Sequence, residues 1–526
     1  MKKIFKFYLL PICMLLVVSS CKKSFEELTV NTNVPTSVPA SLLFNGILNS
    51  MVDYPDNESE IYAQYYIYNY DYYGNNRYDF GGGDNYYATL KNVLAMEDQA
   101  TKAGLPAVNQ YSAVGKFFRA YFFSKMSLEM GDIPMTNALK GLTNLTPAYD
   151  AQKDVMKQSL TWLEEANTDM TAVIATGGST LTGDIYLNGD LTKWRKVINT
   201  FHIRLLLELS KKTGDADLGV VSQFAAIVNN PTKYPVMQSA DDNLQFTFVA
   251  PSNYYPQNPD NFGQNGGRQN SSATYIGLLT SLKDPRVFVT AEPARDNVDN
   301  LKQSATAFSS FVGADPGLDL GVMYNNAALQ KYSFINRKRF YSTYTGEPSI
   351  QIGYAELMFN IAEGINRGWV AGDAEAYYTK GIQASFAYYG IPTGTGTFTA
   401  YFYRPGSTST ANIANYDTYP ISVDWNTYYN QSGVKYTADA AGLTKILQQK
   451  YLAQFRQSGL EPYFTYRRTG VPAFTTGPGT GNGGRIAQRF QYPSSERTSN
   501  TDNYNKALQS QYGGNDDING VMYILK

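Results

Sequence analysis

The feature that most constrains this chain is a series of helical patterns arriving in consecutive pairs. Tyr111, Val114, Phe118, Phe122 and Met126 share one helical face and predict a helix over 111–130, closed by Gly131 and Pro134. Met156, Leu160, Leu163, Met170 and Ile174 stay in phase over 154–174, and Trp194, Ile198, Phe201 and Leu205 over 192–212, with 218–228 following. Shorter patterns at 41–51, 61–70 and 88–102 come first. The pattern returns at 350–368, apolar nearly all round as a buried helix should be, and at 373–389. Each stripe must be buried on a neighbour, so the expected fold is mainly α. The pairing suggests a helical-repeat scaffold, although no clean period repeats along the chain.

The last pair is the most sharply drawn. Leu447, Tyr451 and Phe455 form a stripe, and Ser458-Gly459 is a helix stop. Pro462 sits where a second helix can begin, because a first-turn residue needs no amide donor. That second helix carries Tyr463, Phe464 and Tyr466, then Arg467-Arg468, and ends at Gly470 and Pro472.

Between the pairs lie stretches too long to be mere connectors, and such loops usually carry function. DYYGNNRYDFGGGDNYY (71–87) holds five tyrosines. Residues 231–267 are rich in Pro, Asn, Gly and Tyr, with a short alternating run at 244–248 that predicts a strand. A helix is expected over 270–283, loops and short strands over 290–350, and loop again over 391–440. Tyr is the odd count, at 43 against 27 Phe and 4 Trp, which points either to a wet binding surface or to a Tyr-rich core. Sugars present flat CH faces to such rings and hydroxyls to Asn or Arg, and peptides use Tyr and Asn as well. The candidate ligand residues are Tyr72, Tyr73, Asn75, Asn76, Arg77 and Tyr78, then Tyr254 and Tyr255, then Tyr324. Packing of these loops on the scaffold, or against a partner, is the competing reading.

Other chemistry finds little support. Lys and Arg (44) balance Asp and Glu (45), so no nucleic-acid partner is expected. The lone histidine, His202, lies in a helical pattern and excludes a histidine metal cluster. Glu356 and Glu363 share a helix face, but their apolar helix favours ion pairs with arginine over catalysis. GPGTGNGG (477–484) lacks the Lys-Ser/Thr of a phosphate cradle and reads as a flexible loop. NDDING at 515–520 has the start of a calcium loop, but its twelfth residue is Lys526, so a turn is favoured and calcium is the lesser reading. No cofactor is expected.

Residues 1–20 read as a secretory signal: Lys2, Lys3 and Lys6, then an apolar run, then Ser19-Ser20 before Cys21. Small residues before a cysteine resemble a lipobox, which makes Cys21 the lipidated N-terminus. A plain signal peptide cleaved nearby, or an uncleaved anchor, is the alternative. Residues 21–40 are then a lipidated tether and 41–526 a single domain.

Several motifs in order carry a family resemblance. Gln449, Lys450, Ala453, Phe455, Glu461, Arg467, Arg468, Thr469, Gly470 and Pro472 resemble the C-terminal signature of SusD/RagB-type outer-membrane lipoproteins. Tyr354, Ala355, Glu356, Ala362 and Glu363 resemble the family's Tyr-Ala-Glu…Ala-Glu helix. GDIYLNGDLTKW (183–194), Asp284-Pro285-Arg286, MGDIP (130–134) and RFQYPSSERTSNTDNYNKA (489–507) also match. The resemblance implies a SusD-like helical fold with tetratricopeptide-like helix pairs, long irregular loops and minor β structure. It implies a non-enzymatic nutrient-binding lipoprotein on the outer membrane, facing the cell exterior. It also implies delivery of an oligosaccharide or peptide to a SusC-like, TonB-dependent β-barrel. A surface hydrolase and an adaptor with no small ligand are the rival readings.

Overall fold

The structure is a computed structural model that describes residues 37–526 apart from Tyr73 and Ser179. The signal segment, Cys21, the tether up to residue 36 and Tyr73 lie outside the described residues.

The helices of eight residues or more, in chain order, begin with α1 (Ala40–Ser50), α2 (Tyr87–Lys102), α3 (Gln110–Met130), α4 (Gln152–Ala175), α5 (Leu191–Glu208) and α6 (Val220–Asn229). They continue with α7 (Ala273–Ser281), α8 (Leu320–Ala328), α9 (Tyr354–Asn366), α10 (Ala374–Tyr388), α11 (Ala440–Ala453), α12 (Glu461–Thr469) and α13 (Thr501–Tyr512). Local chemistry sets their ends. Asn109 accepts from the amides of Tyr111 and Ser112 at the start of α3, with Ser112 Oγ reciprocating. Asp190, Asp373 and Asp439 cap α5, α10 and α11 through side-chain oxygens. Gly470 closes α12 in the left-handed region, at φ 75°.

Consecutive helices pack on one another, α3 on α4, α4 on α5 and α9 on α10, but α11 packs on α9 and α10 rather than on its predicted partner α12. The apolar interior divides into two large clusters, one built mainly from α1–α6 and the chain after 463, the other from residues 246–455. Helix α9 belongs to both: Leu357, Met358 and Ile361 enter the first and Phe359 and Ala362 the second. That is why its sequence is apolar all round. The α11–α12 pair is the other bridge, with Ile446, Tyr451 and Leu452 in the second cluster and Tyr463 and Phe464 in the first. Gly364 allows the close approach of α6, since a Cβ there would lie 2.2 Å from the Phe224 ring.

The strands form three two-stranded antiparallel ribbons: β1 (Tyr66–Tyr68) with β3 (Gln269–Ser271), β2 (Leu244–Phe246) with β4 (Ser349–Ile352), and β5 (Thr395–Tyr403) with β6 (Tyr416–Asp424). Three expectations are corrected. The helix expected over 61–70 stops at Tyr62, Gln64 turns left-handed at φ 53°, and the following tyrosines become β1 because β3 offers a ladder. The stretch 391–440, read as loop, contains the β5–β6 hairpin, in which Ala400 and Phe402 face the core while alternate threonines face out. The stretch 290–350 contains helix α8. No helix among the described residues is long and apolar enough to cross a membrane.

Candidate functional site: a tyrosine platform

The site is built on the β1–β3 ribbon. Asn69 extends it, its amide donating to Arg268 O at 3.0 Å and its side chain to Asn270 Oδ1 at 2.6 Å. Tyr70 therefore emerges beside Arg268, whose guanidinium carbon lies 5.1 Å from the ring centroid. The chain then turns outward and comes back. Asn76, buried, closes that loop by accepting from Tyr68 N and donating to Tyr68 O, both at 2.8 Å. Its amide takes the place of a strand partner.

Helix α8 seals the underside. Met323 and Ala327 pack with Ile67, Ala314 and Tyr332 in a small cluster of their own. The flank of α8 presents Tyr324, whose ring lies 5.4 Å from that of Tyr70 at an interplanar angle of 37°. Tyr72 lies 6.4 Å from Tyr70 at 31°. Tyr72 is 80% exposed, Tyr324 42% and Tyr70 38%, so three rings at moderate tilt share a solvent-facing surface.

The structure thus unites, through Tyr70, two candidates distant in sequence, Tyr72 on the loop after β1 and Tyr324 on helix α8. It commits others to the scaffold. Tyr78 is buried and donates to Tyr62 O at 2.9 Å, while its own amide donates to Thr480 O. Asn76 is spent on closing the loop, and Tyr255 lies buried against Phe248. These three are corrected from surface ligand residues to packing residues, because their polar atoms or rings are withdrawn from solvent. Asn75 accepts from Arg77 N, and Arg77 pairs with Asp79 on the surface. Tyr254 stays exposed but lies elsewhere, its ring 4.8 Å from that of Tyr344 and tilted by 41°. Tyr70 and Arg268 were missed. Tyr70 was legible as part of the Tyr-rich run, but nothing in the sequence marks Arg268, which reaches the site only through strand pairing.

The remaining candidate chemistry is structural. Arg204 takes both oxygens of Glu356, and Arg468 both oxygens of Glu363, all four side chains being buried. Burial pushes the Glu363 carboxyl up, but the charges of Arg468 and Arg367 outweigh it and hold it at about 2. Arg467 instead donates to Leu128 O and Gln488 O, and Glu461 pairs with Lys450 at 3.2 Å. His202 is buried with Nε2 3.0 Å from Gln223 Oε1, and burial lowers its pKa to about 4. Asp516, in the loop weighed for calcium, receives Arg489 Nη1 at 2.6 Å and Tyr492 N at 3.1 Å. No cluster of three or more potential metal ligands occurs among the described residues.

With this geometry in hand, the similarities to known proteins become informative. A family model termed SusD-like, described as starch-binding and associating with the outer membrane, matches residues 32–493. A SusD homologue of Bacteroides fragilis NCTC 9343 is 31% identical with a TM-score of 0.79, covering 93% of this chain and 100% of that one. An outer-membrane protein of Bacteroides vulgatus ATCC 8482, described as a candidate in nutrient binding, is 29% identical with a TM-score of 0.77 over the same shares. A chitin-binding protein is 25% identical with a TM-score of 0.68, covering 92% of this chain and 98% of that one. No curated protein matches the sequence significantly.

Proposed function

Because this chain belongs to the SusD-like family of outer-membrane-associated, non-catalytic nutrient-binding proteins, we propose that its Tyr70–Tyr72–Tyr324 platform captures a saccharide chain. The observation that carries this is three exposed tyrosine rings, two from the loop after β1 and one from helix α8, gathered beside one guanidinium. Each ring offers a flat apolar face to the CH face of a sugar and a hydroxyl to its oxygens. Arg268 supplies donors and no acceptor, which suits hydroxyl oxygens. The moderate tilts between rings suit a curved or twisted chain better than a flat one.

In the same reading, residues 41–526 act as one binding body, held to the membrane by a lipid on Cys21 and facing the cell exterior. The captured chain passes to a SusC-like, TonB-dependent β-barrel. Transfer requires no bond to be made or broken, only a lower affinity once the barrel is engaged.

Titration calorimetry with maltoheptaose, chitohexaose and a mixed peptide pool tests this. Saccharide binding that Tyr72→Ala and Tyr324→Ala both weaken is the expected outcome. Binding of peptides alone, or release of cleaved sugar, would contradict it.

A further inference from the structure

A cleft of about 450 Å³ opens between the first turn of α9, the outer face of α10 and the C-terminal end of α11. None of these elements carries a platform tyrosine. Its size lies within the range of small-molecule sites.

Three observations define what the cleft would hold. Its walls are made small by Ala355, Ala384, Ala387 and Ala453, and Tyr354 and Tyr388 supply rings beside them. The first turn of α9 is only partly capped: Gly353 has no side chain, Asn243 Oδ1 accepts from Tyr354 N at 2.8 Å, and the residues that follow, Ala355 and Glu356, line the cleft. Gln454, also in the lining, is 2% exposed, and neither atom of its amide has a partner among the described residues. A buried amide left unpaired destabilises the fold, so its presence calls for an explanation such as an absent ligand.

Charge narrows the class. Glu356 is the one ionised side chain in the lining, and Arg204 already holds both of its oxygens. An ionic ligand would find no counter-charge. The unpaired amide of Gln454 offers one donor face and one acceptor face, which a secondary amide matches, and the alanines leave space for a methyl.

We propose that this cleft is a second binding site, separate from the platform, for a neutral sugar carrying an acetamido group. The acetamido group pairs with Gln454, its methyl rests on the alanines, and ring oxygens accept from the first turn of α9.

Saturation-transfer NMR with N,N′-diacetylchitobiose tests the assignment, with cellobiose and N-acetylalanine methylamide as comparisons. The acetyl methyls should saturate in the wild type and still saturate in the Tyr72→Ala/Tyr324→Ala variant. Ala387→Trp, an exposed position on α10, and Gln454→Leu should each weaken binding at least tenfold. Gln454→Leu should also melt at or above the wild-type temperature, since it removes an unpaired polar group. Loss of signal in the tyrosine variant alone would overturn this site while leaving the platform standing. Signal indifferent to both cleft variants, or absent throughout, would overturn it as well. In the tyrosine variant, equal saturation of cellobiose would remove the acetamido assignment, and equal saturation of the methylamide the sugar assignment.

Discussion

Arg468 donates through both terminal nitrogens to the carboxylate of Glu363, joining α12 to α9 with neither side chain more than 1% exposed. The pair lies where the two apolar clusters meet. Removing one partner of a buried pair costs about 3–5 kcal/mol, and Glu363 would be left with the partly buried Arg367 at 2.9 Å. Arg468→Ala should therefore lower stability in urea by roughly that amount. Saccharide affinity of the folded fraction should stay within about twofold, because the platform shares no residue with this junction. A stable variant that had lost binding would put this arginine in the site.

The platform and its supports should separate in mutation. Tyr72→Ala and Tyr324→Ala remove exposed rings, so each should weaken saccharide binding by about 1 kcal/mol or more with little change in Tm. Tyr78→Phe, which loses only the bond to Tyr62 O, should do the reverse and cost about 1 kcal/mol of stability. Calorimetry paired with thermal melts checks both. A fall in Tm for the exposed rings would count against a surface role.

Glu60 offers a pH signature. It is buried without a hydrogen-bond partner for either oxygen among the described residues, and Arg456 Nε is 3.8 Å away. Burial raises its pKa from the ordinary 4.5 to about 7, against the pull of Arg456. A raised folded pKa means that the folded state holds the proton more tightly. The stability this confers is complete below about 4.5 and is lost as pH rises through 7. At about 1.4 kcal/mol per unit this is on the order of 3 kcal/mol across the window. Glu60→Gln should gain Tm relative to wild type at pH ~8 but not at pH ~5. Parallel melting curves at the two pH values would show that Glu60 does not titrate there.

Cys21→Ala addresses the anchor, which lies outside the described residues. Acyl chains hold a membrane at about 0.8 kcal/mol per buried CH₂. The variant should leave the membrane fraction for the periplasm. Its retention in the membrane would show that another contact holds the protein there.

Local patterns were legible wherever a short-range rule sets the structure. Apolar spacing located α3, α4, α5, α9 and α10 to within a few residues, and the Pro462 start and Gly470 stop of α12 lie as read. The ion pairs with arginine expected of Glu356 and Glu363 are made by Arg204 and Arg468, while Arg467 serves backbone carbonyls. Where a segment's partner is distant, local reading failed. The 61–70 pattern looked helical until β3 claimed it, and the alternation in 395–403 went unread without its antiparallel partner.

The site divides the same way. Sequence alone determined that the loops are rich in tyrosine, that Tyr72 and Tyr324 are candidates, and that a histidine metal cluster is excluded. It could not sort Tyr72 from Tyr78, because both stand in one extended run and only the return of the chain decides which side is packed. Nor could it bring Tyr324 and Arg268 to Tyr70. Those meetings depend on the β1–β3 ladder and on α8 docking through Met323 and Ala327. Composition and periodicity act over a few residues, so they determined which helices and aromatic loops form. The platform depends on contacts between residues far apart in the chain, and only burial of the packed core decides those.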